Sequence, residues 1–420
     1  MVTGALLAEA APEDGWVPVV GDALGVLILS LASLQFLLSS RFHWLEEPWG
    51  LDRLLWLHRR MGPVIGLLVL AHPSLLASAL TLLGQGGAPH LARSFGHWCV
   101  WLGVLSAAAV GVQVLTTYFV EEMGLTYERW RAIHNGALVV VLAAFGHAWI
   151  MGPHVRAMPV LALLVAAWPV VALGTIVYTT LIKPGLLPRY VVTGVVQETH
   201  DTWTVEMAPR QGRVFEYRPG QFIFLTLDRK GFPPEEHPFT LSSSPAASDA
   251  ITVTPKAVGD FTATIKDTRP GDMARIDGPY GRFTYLDVAG EPLLLISGGV
   301  GVTPFASYLR HIRDTGGATD VVLIDANKTA ADIIFREEFD SLAAACANIR
   351  IVYVLSEGDH AWEGERGYVD EALLRRCVPD IDRRVCFLCG PPPMTAMVRK
   401  ALARLGVPRS RVRFEEFRLK

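Results

Sequence analysis

The chain has 420 residues, 51% of them hydrophobic and 19% charged, with a mean hydropathy of +0.32, which is high for a wholly water-soluble protein and long enough for two to four domains. A formal net charge of −3 gives no electrostatic reason to expect nucleic acid as a partner. The five cysteines, Cys99, Cys346, Cys377, Cys386 and Cys389, are scattered and argue against a disulfide framework; residues 1–15 lack the basic start of a signal peptide.

From about 17 to 183 the sequence is mostly apolar; from about 187 it is charged, with strand-like alternation and Gly/Pro turns. Five apolar runs, near 18–40, 56–83, 97–120, 132–151 and 158–182, each reach the roughly 20 residues that a bilayer-spanning helix needs. Residues 1–40 contain no Lys or Arg, whereas Arg41, Arg53, Arg59, Arg60, Arg129, Arg131, Lys183 and Arg189 fall in the alternate connections on one side of the spans, and the other two loops hold only Arg93 and Arg156. The positive-inside rule then puts the N-terminus outside and everything after 183 inside. An integral protein of the plasma (inner) membrane with a cytoplasmic C-terminal half is expected. The apolar "GALLA" at 4–8 reads as the remnant of a sixth helix.

The second run contains "LHRRMGPVIGLLVLAH" (57–72), with His58 and His72 fourteen residues apart. On a regular helix that spacing falls about 40° short of four turns, so both rings face nearly the same way, about 21 Å apart. The fourth run has its own pair, His134 and His147, in "HNGALVVVLAAFGH". Both helices run from inside to outside, so the four rings form two levels, His58 with His134 and His72 with His147. A lone intramembrane histidine is ordinarily a packing residue or a proton relay. Two imidazoles from neighbouring helices at one level are what a six-coordinate haem iron needs. Gly62, Gly66, Gly136 and Gly146 leave room for a flat macrocycle, and with no CxxCH motif the haems are expected to be non-covalent. Thirteen residues put His147 about 140° out of phase with His134, so the fourth helix must be irregular or its haems must approach from different sides. His43, His90, His97 and His154 near span ends read as interfacial polar residues.

The second half opens with short strands and turns: "RPGQFIFLTL" (218–227), "EHPFTLSSSP" (236–245), "KAVGDFTATIKD" (256–267) and "RPGDMARIDGPYGRF" (269–283). They suggest a small antiparallel barrel. In "EPLLLISGGVGVTPFASYLRHI" (291–312) an apolar strand meets a glycine-rich turn and then a helix, an arrangement whose backbone N–H groups suit a pyrophosphate. "DVVLIDAN", "IRIVYVLS" and "RVCFLCGPPPMTAMVRKAL" continue a parallel α/β pattern, with ligands expected at the carboxyl ends of the strands.

Together, "HPFT", "GPYG", "GGVGVTP" and "CGPPPM", in order behind two histidine pairs, resemble the ferric reductase and NADPH oxidase superfamily. The resemblance implies an α-helical transmembrane haem domain (1–186), an antiparallel β-barrel FAD domain (187–290) and an α/β parallel-sheet NAD(P)H domain (291–420). It implies Phe239 stacked on the flavin ring, Thr240 bonding near flavin N5, and His237, Gly259 and Thr262 facing the FAD phosphates, with Pro238, Gly278, Tyr280 and Gly281 also lining the FAD. Gly298, Gly299, Gly301, Thr303 and Pro304 resemble the dinucleotide loop, and Cys389, Gly390 and Pro391 the segment beside the nicotinamide. Phe417 is placed like a C-terminal aromatic that shields the flavin. Thr240, Cys389 and Phe417 are thus the expected catalytic set. Cys386 and Cys389 form a CxxC, but along a strand they point to opposite faces, which disfavours zinc or a disulfide.

Nicotinamide gives two electrons as hydride and haem accepts one at a time, so a flavin belongs between them. The expected path is NADPH or NADH to FAD, the inner haem b, the outer haem b, then an external acceptor. Arg59 and Arg60 stand where they could pair with inner-haem propionates or serve only as positive-inside residues. The external loops, about 84–96 and 152–157, are short, which leans toward a ferric chelate as acceptor, with dioxygen reduction to superoxide as the alternative. His90, Arg93, His97, His154 and Arg156 lie on that side. A quinone-linked cytochrome b and a soluble flavin reductase merely anchored by helices are the readings of other classes. Lys328 and Arg336 could meet a 2′-phosphate that Asp325 would repel, leaving NADH versus NADPH open.

Overall fold

The computed structural model describes residues 16–82, 97–247, 249–358 and 361–416. They divide into two compact units, the first ending at Leu186 and the second beginning at Leu187.

The first unit is helical: α1 (Trp16–Ser39), α2 (Leu51–Leu82), α3 (Trp98–Tyr118), α4 (Tyr127–Asn135), α5 (Ala137–Met151) and α6 (Pro159–Val177). Five stretches are long and apolar enough to cross a membrane: Val20–Ser39, Leu51–Leu75, Trp98–Tyr118, Arg129–Met151 and Pro159–Leu186. α1 packs on α2 and α6, and α3 packs on α5. Leu29, Val141, Val155, Val165 and Ala172 fill the centre, while Leu67, Leu70, Val139, Leu163 and Val170 point outward and exposed, an inside-out pattern that only lipid makes favourable. The fourth span is broken at Gly136, whose N–H turns back to the Ile133 carbonyl (3.1 Å) before the helix restarts at Ala137. Of the two alternatives that the thirteen-residue histidine spacing left open, this break is an irregularity within the fourth span.

The second unit holds two six-stranded sheets. The first is antiparallel, in the order β4-β3-β6-β1-β2-β5, from β1 (Arg189–Thr199), β2 (Thr202–Pro209), β3 (Phe222–Asp228), β4 (Glu236–Thr240), β5 (Ile251–Val253) and β6 (Met273–Tyr280). Ile223, Leu225 and Leu227 of β3 alternate inward to meet Val205 and Met207 of β2. The edge strands approach each other at one bridge, Leu241 to Val253, so the expected barrel is an antiparallel sheet joined at a point rather than along a full ladder.

The second sheet is parallel, in the order β10-β9-β8-β7-β11-β12, from β7 (Leu293–Gly298), β8 (Val321–Asn327), β9 (Ile349–Leu355), β10 (Glu365–Arg366), β11 (Val385–Gly390) and β12 (Val412–Glu416). Its central strands β7, β8 and β11 are buried on both faces, with α7 (Thr303–Asp314) against one and α8 (Pro392–Arg404) against the other. The chain runs outward from β7 and then crosses back to β11, so the switch point lies between those two strands. There a Cβ on Gly301 would lie 2.2 Å from the carbonyl oxygen of Cys389. Beside it, Asp325 is fully buried; Ser297 Oγ (2.6 Å) and Asn327 Nδ2 (2.8 Å) donate to its carboxylate, and burial raises its pKa to about 6.

Two outcomes follow. Gly301→Ala should cost about 1–3 kcal/mol through overpacking, seen as a lower unfolding temperature, whereas Gly194→Ala, whose added Cβ meets nothing nearer than Glu206 Cβ at 3.8 Å, should stay within about 0.5 kcal/mol of the parent; equal effects would contradict the close approach. For Asp325 the folded chain holds a proton that the unfolded chain releases between about pH 4 and 6. Its contribution to stability therefore falls as pH rises through that window, by up to about 3 kcal/mol, and is constant above it. Asp325→Asn should gain on the parent across this range in urea unfolding, and a variant that loses ground as pH rises would contradict the buried carboxyl.

Candidate functional site

In the helical unit the rings of His58 and His134 stand 5.9 Å apart between centroids, 69° from parallel. Two metal–nitrogen bonds of about 2 Å each, with the inward halves of two five-membered rings, span about 6 Å, so this separation fits one metal ion held between them. His58 Nδ1 is 3.3 Å from the Gln35 carbonyl oxygen and His147 Nδ1 is 2.9 Å from that of Cys99. A carbonyl only accepts, so Nδ1 carries the proton and Nε2 keeps the lone pair a metal needs. The Nδ1 atoms of His72 and His134 are buried without a hydrogen-bond partner, as are Ser33 Oγ and Gln35 Oε1. Each such atom costs on the order of 1–3 kcal/mol, which marks the interior as built around something absent from an apolar core. His72 and His147 are close enough to act on each other electrostatically. Among the described residues no three His, Cys, Asp or Glu side chains are grouped so that they could hold a metal ion.

The glycines at which an added Cβ would come up against a histidine ring are Gly103 and Gly25. A Cβ at Gly103 would lie 2.8 Å from His147 Nδ1, and one at Gly25 would lie 3.8 Å from His72 Cε1. Gly62 has nothing within 4 Å, Gly66 and Gly146 face Val114 and Leu102, and Gly136 serves to break the helix. Both Gly25 and Gly103 sit in the tetrapeptide LGVL, a repeated signal that could have found them. Trp130, whose Nε1 donates to Thr117 Oγ1 (3.2 Å), stacks on His134 at 5.1 Å. Arg60 lies over the Trp56 ring at 5.6 Å. Arg156 donates to the carbonyls of Trp149 and Ile150 at the end of α5 and so caps that helix. The "GALLA" segment, His90, Arg93, the loop 84–96 and Phe417 lie outside the described residues.

In the antiparallel sheet, β4 carries His237, Pro238, Phe239 and Thr240. The His237 ring stacks on Phe261 at 4.1 Å, and Phe239 lies 6.3 Å from the same ring. His237 Nε2 pairs with Glu235 at 3.2 Å. Thr262 Oγ1 accepts from the N–H groups of Gly259 (2.9 Å) and Val258 (3.0 Å), so these expected phosphate contacts are engaged with each other. Tyr280, expected at the FAD, has no exposed surface, and its hydroxyl donates to Asp277 (2.6 Å): it packs the core beneath Phe222 and Phe224. Gly278 and Gly281 shape the tight turn around it.

At the parallel sheet, Gly298, Gly299 and Gly301 form the turn into α7, where Thr303 Oγ1 donates to the Val300 carbonyl (3.0 Å) and Pro304 occupies the first turn. Gly390 packs against Gly298, and Pro391 and Met394 flank it. Cys389, expected beside the nicotinamide, has no exposed surface; its thiol sits in the core on one face of β11 while Cys386 sits on the other, and burial pushes its pKa well up. All five cysteines are free. The Asp325 carboxylate is enclosed, accepting from Ser297 Oγ and Asn327 Nδ2. Arg336 lies over the Trp362 ring at 5.3 Å, an aromatic partner that sequence reasoning missed.

Three family models match in order: "Ferric reductase like transmembrane component" over 24–145, "FAD-binding domain" over 193–284 and "Oxidoreductase NAD-binding domain" over 295–400. The glycine betaine monooxygenase reductase subunit of Chromohalobacter salexigens is 33% identical over 53% of this chain, which spans 62% of that protein's length. NADH-cytochrome b5 reductase 1 of Aspergillus clavatus is 30% identical over 48% of this chain and 69% of its own. The FAD/NAD-binding domain of nitric oxide dioxygenase from Vibrio cholerae shares the fold of the second unit, with a TM-score of 0.50 and 24% identity over 55% of this chain and 98% of that one. A ferric-reductase-like membrane segment followed by FAD- and NAD-binding modules makes this chain a member of the ferric reductase and NADPH oxidase superfamily, an NAD(P)H-dependent flavin oxidoreductase of the membrane.

Proposed function

We propose that the chain passes electrons from NAD(P)H through FAD and two haems b to a ferric complex on the far side of the membrane. The observation that carries the haem reading is the 5.9 Å separation of the His58 and His134 rings on separate helices. His58 and His134 would hold the inner haem and His72 and His147 the outer one. When bound, FAD supplies two-electron acceptance with one-electron release, and the haems supply one-electron conduction.

The protein's own part is to bind and orient. The N–H groups at the start of α7 and the Gly298–Gly301 turn offer donors to a pyrophosphate. Phe239 presents an aromatic face, and Thr240 at the strand end supplies a hydroxyl beside it. The Gln35 and Cys99 carbonyls fix the tautomer of one histidine in each pair. With two histidines holding each haem, the iron would have no place for an acceptor, which would be reduced without binding the metal. The short helix Pro153–Ala157 after α5 builds little cover there, which favours a bulky ferric chelate.

Absorbance spectra of the full chain in detergent test the ligands. His72→Leu or His147→Leu should lose one low-spin haem per chain while NAD(P)H still bleaches the flavin, and His58→Leu or His134→Leu should lose the other. Four variants that all keep two low-spin haems would refute the assignment. For the acceptor, anaerobic turnover with NAD(P)H should reduce ferric chelate, insensitive to superoxide dismutase, faster than oxygen is consumed in air. Rapid oxygen consumption with negligible anaerobic iron reduction would instead make superoxide the product.

A further inference from the structure

Arg229 follows β3 and is 4% exposed. Its Nη1 donates to the Thr264 carbonyl (2.6 Å) and to Thr268 Oγ1 (3.2 Å), and Nη2 donates to Thr264 Oγ1 (2.8 Å). The guanidinium lies 4.5 Å from the Phe232 ring centroid and 5.3 Å from that of Phe261. Nε is buried without a hydrogen-bond partner. A charge taken out of water costs several kcal/mol unless it is compensated, and these bonds all go to neutral oxygens. Asp272, Asp267 and Glu235 act on it only through space.

Its contacts show where that charge is used. Thr264 ends the helical turn Asp260–Ala263, whose other end is Gly259. Phe261 of the same turn carries the stacked His237 ring. Arg229 therefore touches both the far end of the turn and the ring on which His237 rests. The side chain paired with His237, Glu235, is acidic, which disfavours a diphosphate there unless a fixed cation lies close by.

We propose that Arg229 is a positioning residue for the FAD diphosphate: it holds the 259–264 turn and, through Phe261, His237 in the arrangement that receives the phosphates, and sets a buried permanent positive charge behind them. This rests on the reading that His237 and Gly259 face the FAD phosphates.

The test is flavin binding to the flavin-stripped full chain in detergent, with FAD and with riboflavin, which lacks phosphate, alongside the unfolding temperature of the apoprotein. Arg229→Met should weaken FAD by about tenfold, the scale of one lost charge-assisted interaction, leave riboflavin within about twofold, and Arg229→Lys should recover part of the loss. Unchanged FAD affinity, or equal weakening of FAD and riboflavin, would overturn the proposal in favour of packing alone. Should Arg229→Met not fold, Arg229→Lys decides by the same criterion: FAD-selective weakening supports the proposal, and equal weakening or none overturns it. His237→Ala separates the underlying reading. If it spares FAD, the phosphate site lies elsewhere and the proposal falls with it; if it weakens FAD selectively while the Arg229 variants do not, only the role of Arg229 fails.

Discussion

An imidazole among apolar helices must find partners for two ring nitrogens, and the protein atoms of the first unit meet that demand only in part. Two of the eight nitrogens are served by backbone carbonyls, those of Gln35 and Cys99. A helical carbonyl normally belongs to the i+4 N–H, so taking a second donor requires the histidine helix to come close. Gly103 makes that approach possible for His147. The break at Gly136 lets His134 and His147 leave one span in useful directions. Trp130, held by Thr117, backs His134. Without the histidines, these small residues and polar contacts would be defects in a membrane helix; with them they form one arrangement.

The second unit is governed by another constraint, the close approach of backbone to backbone at the point where a parallel sheet changes direction. β7 and β11 are neighbours although some ninety residues separate them in sequence, and their carboxyl ends bring two glycine-containing segments into contact. The missing side chains are what allow that approach, since a Cβ on Gly298, Gly301 or Gly390 would collide with the facing segment. Nicotinamide chemistry moves electrons in pairs, and the paired histidines suit carriers that move them singly; the flavin-binding module encoded between them supplies the interconversion.

Much of this was legible in the sequence for physical reasons. Lipid requires long apolar helices, so the five spans stand out. The motifs GGVGVTP and CGPPPM are visible because close backbone approach admits only a few residue types. The 13-residue histidine spacing left open either an irregular fourth helix or two directions of approach, and the chain breaks that helix at Gly136. What was hidden depends on contacts between distant elements. That Gly25 and Gly103, rather than Gly62 or Gly66, meet the histidines is set by helix packing. Tyr280 and Cys389 sit in motifs tied to cofactors, but neighbouring strands cover them completely. Asp325 reads as a surface charge until Ser297 and Asn327 enclose it. Arg229 has no motif at all; its importance comes from the turn thirty-five residues away that it bonds.

The central claim is that the four histidines form two bis-imidazole haem sites. The most direct measurement is the haem content of the purified wild-type chain, by pyridine haemochrome absorbance against extractable FAD, with the low-spin spectrum recorded before denaturation. The account predicts two non-covalent haems b per FAD, both low-spin. A chain with full flavin and no haem, or with one haem only, would contradict it.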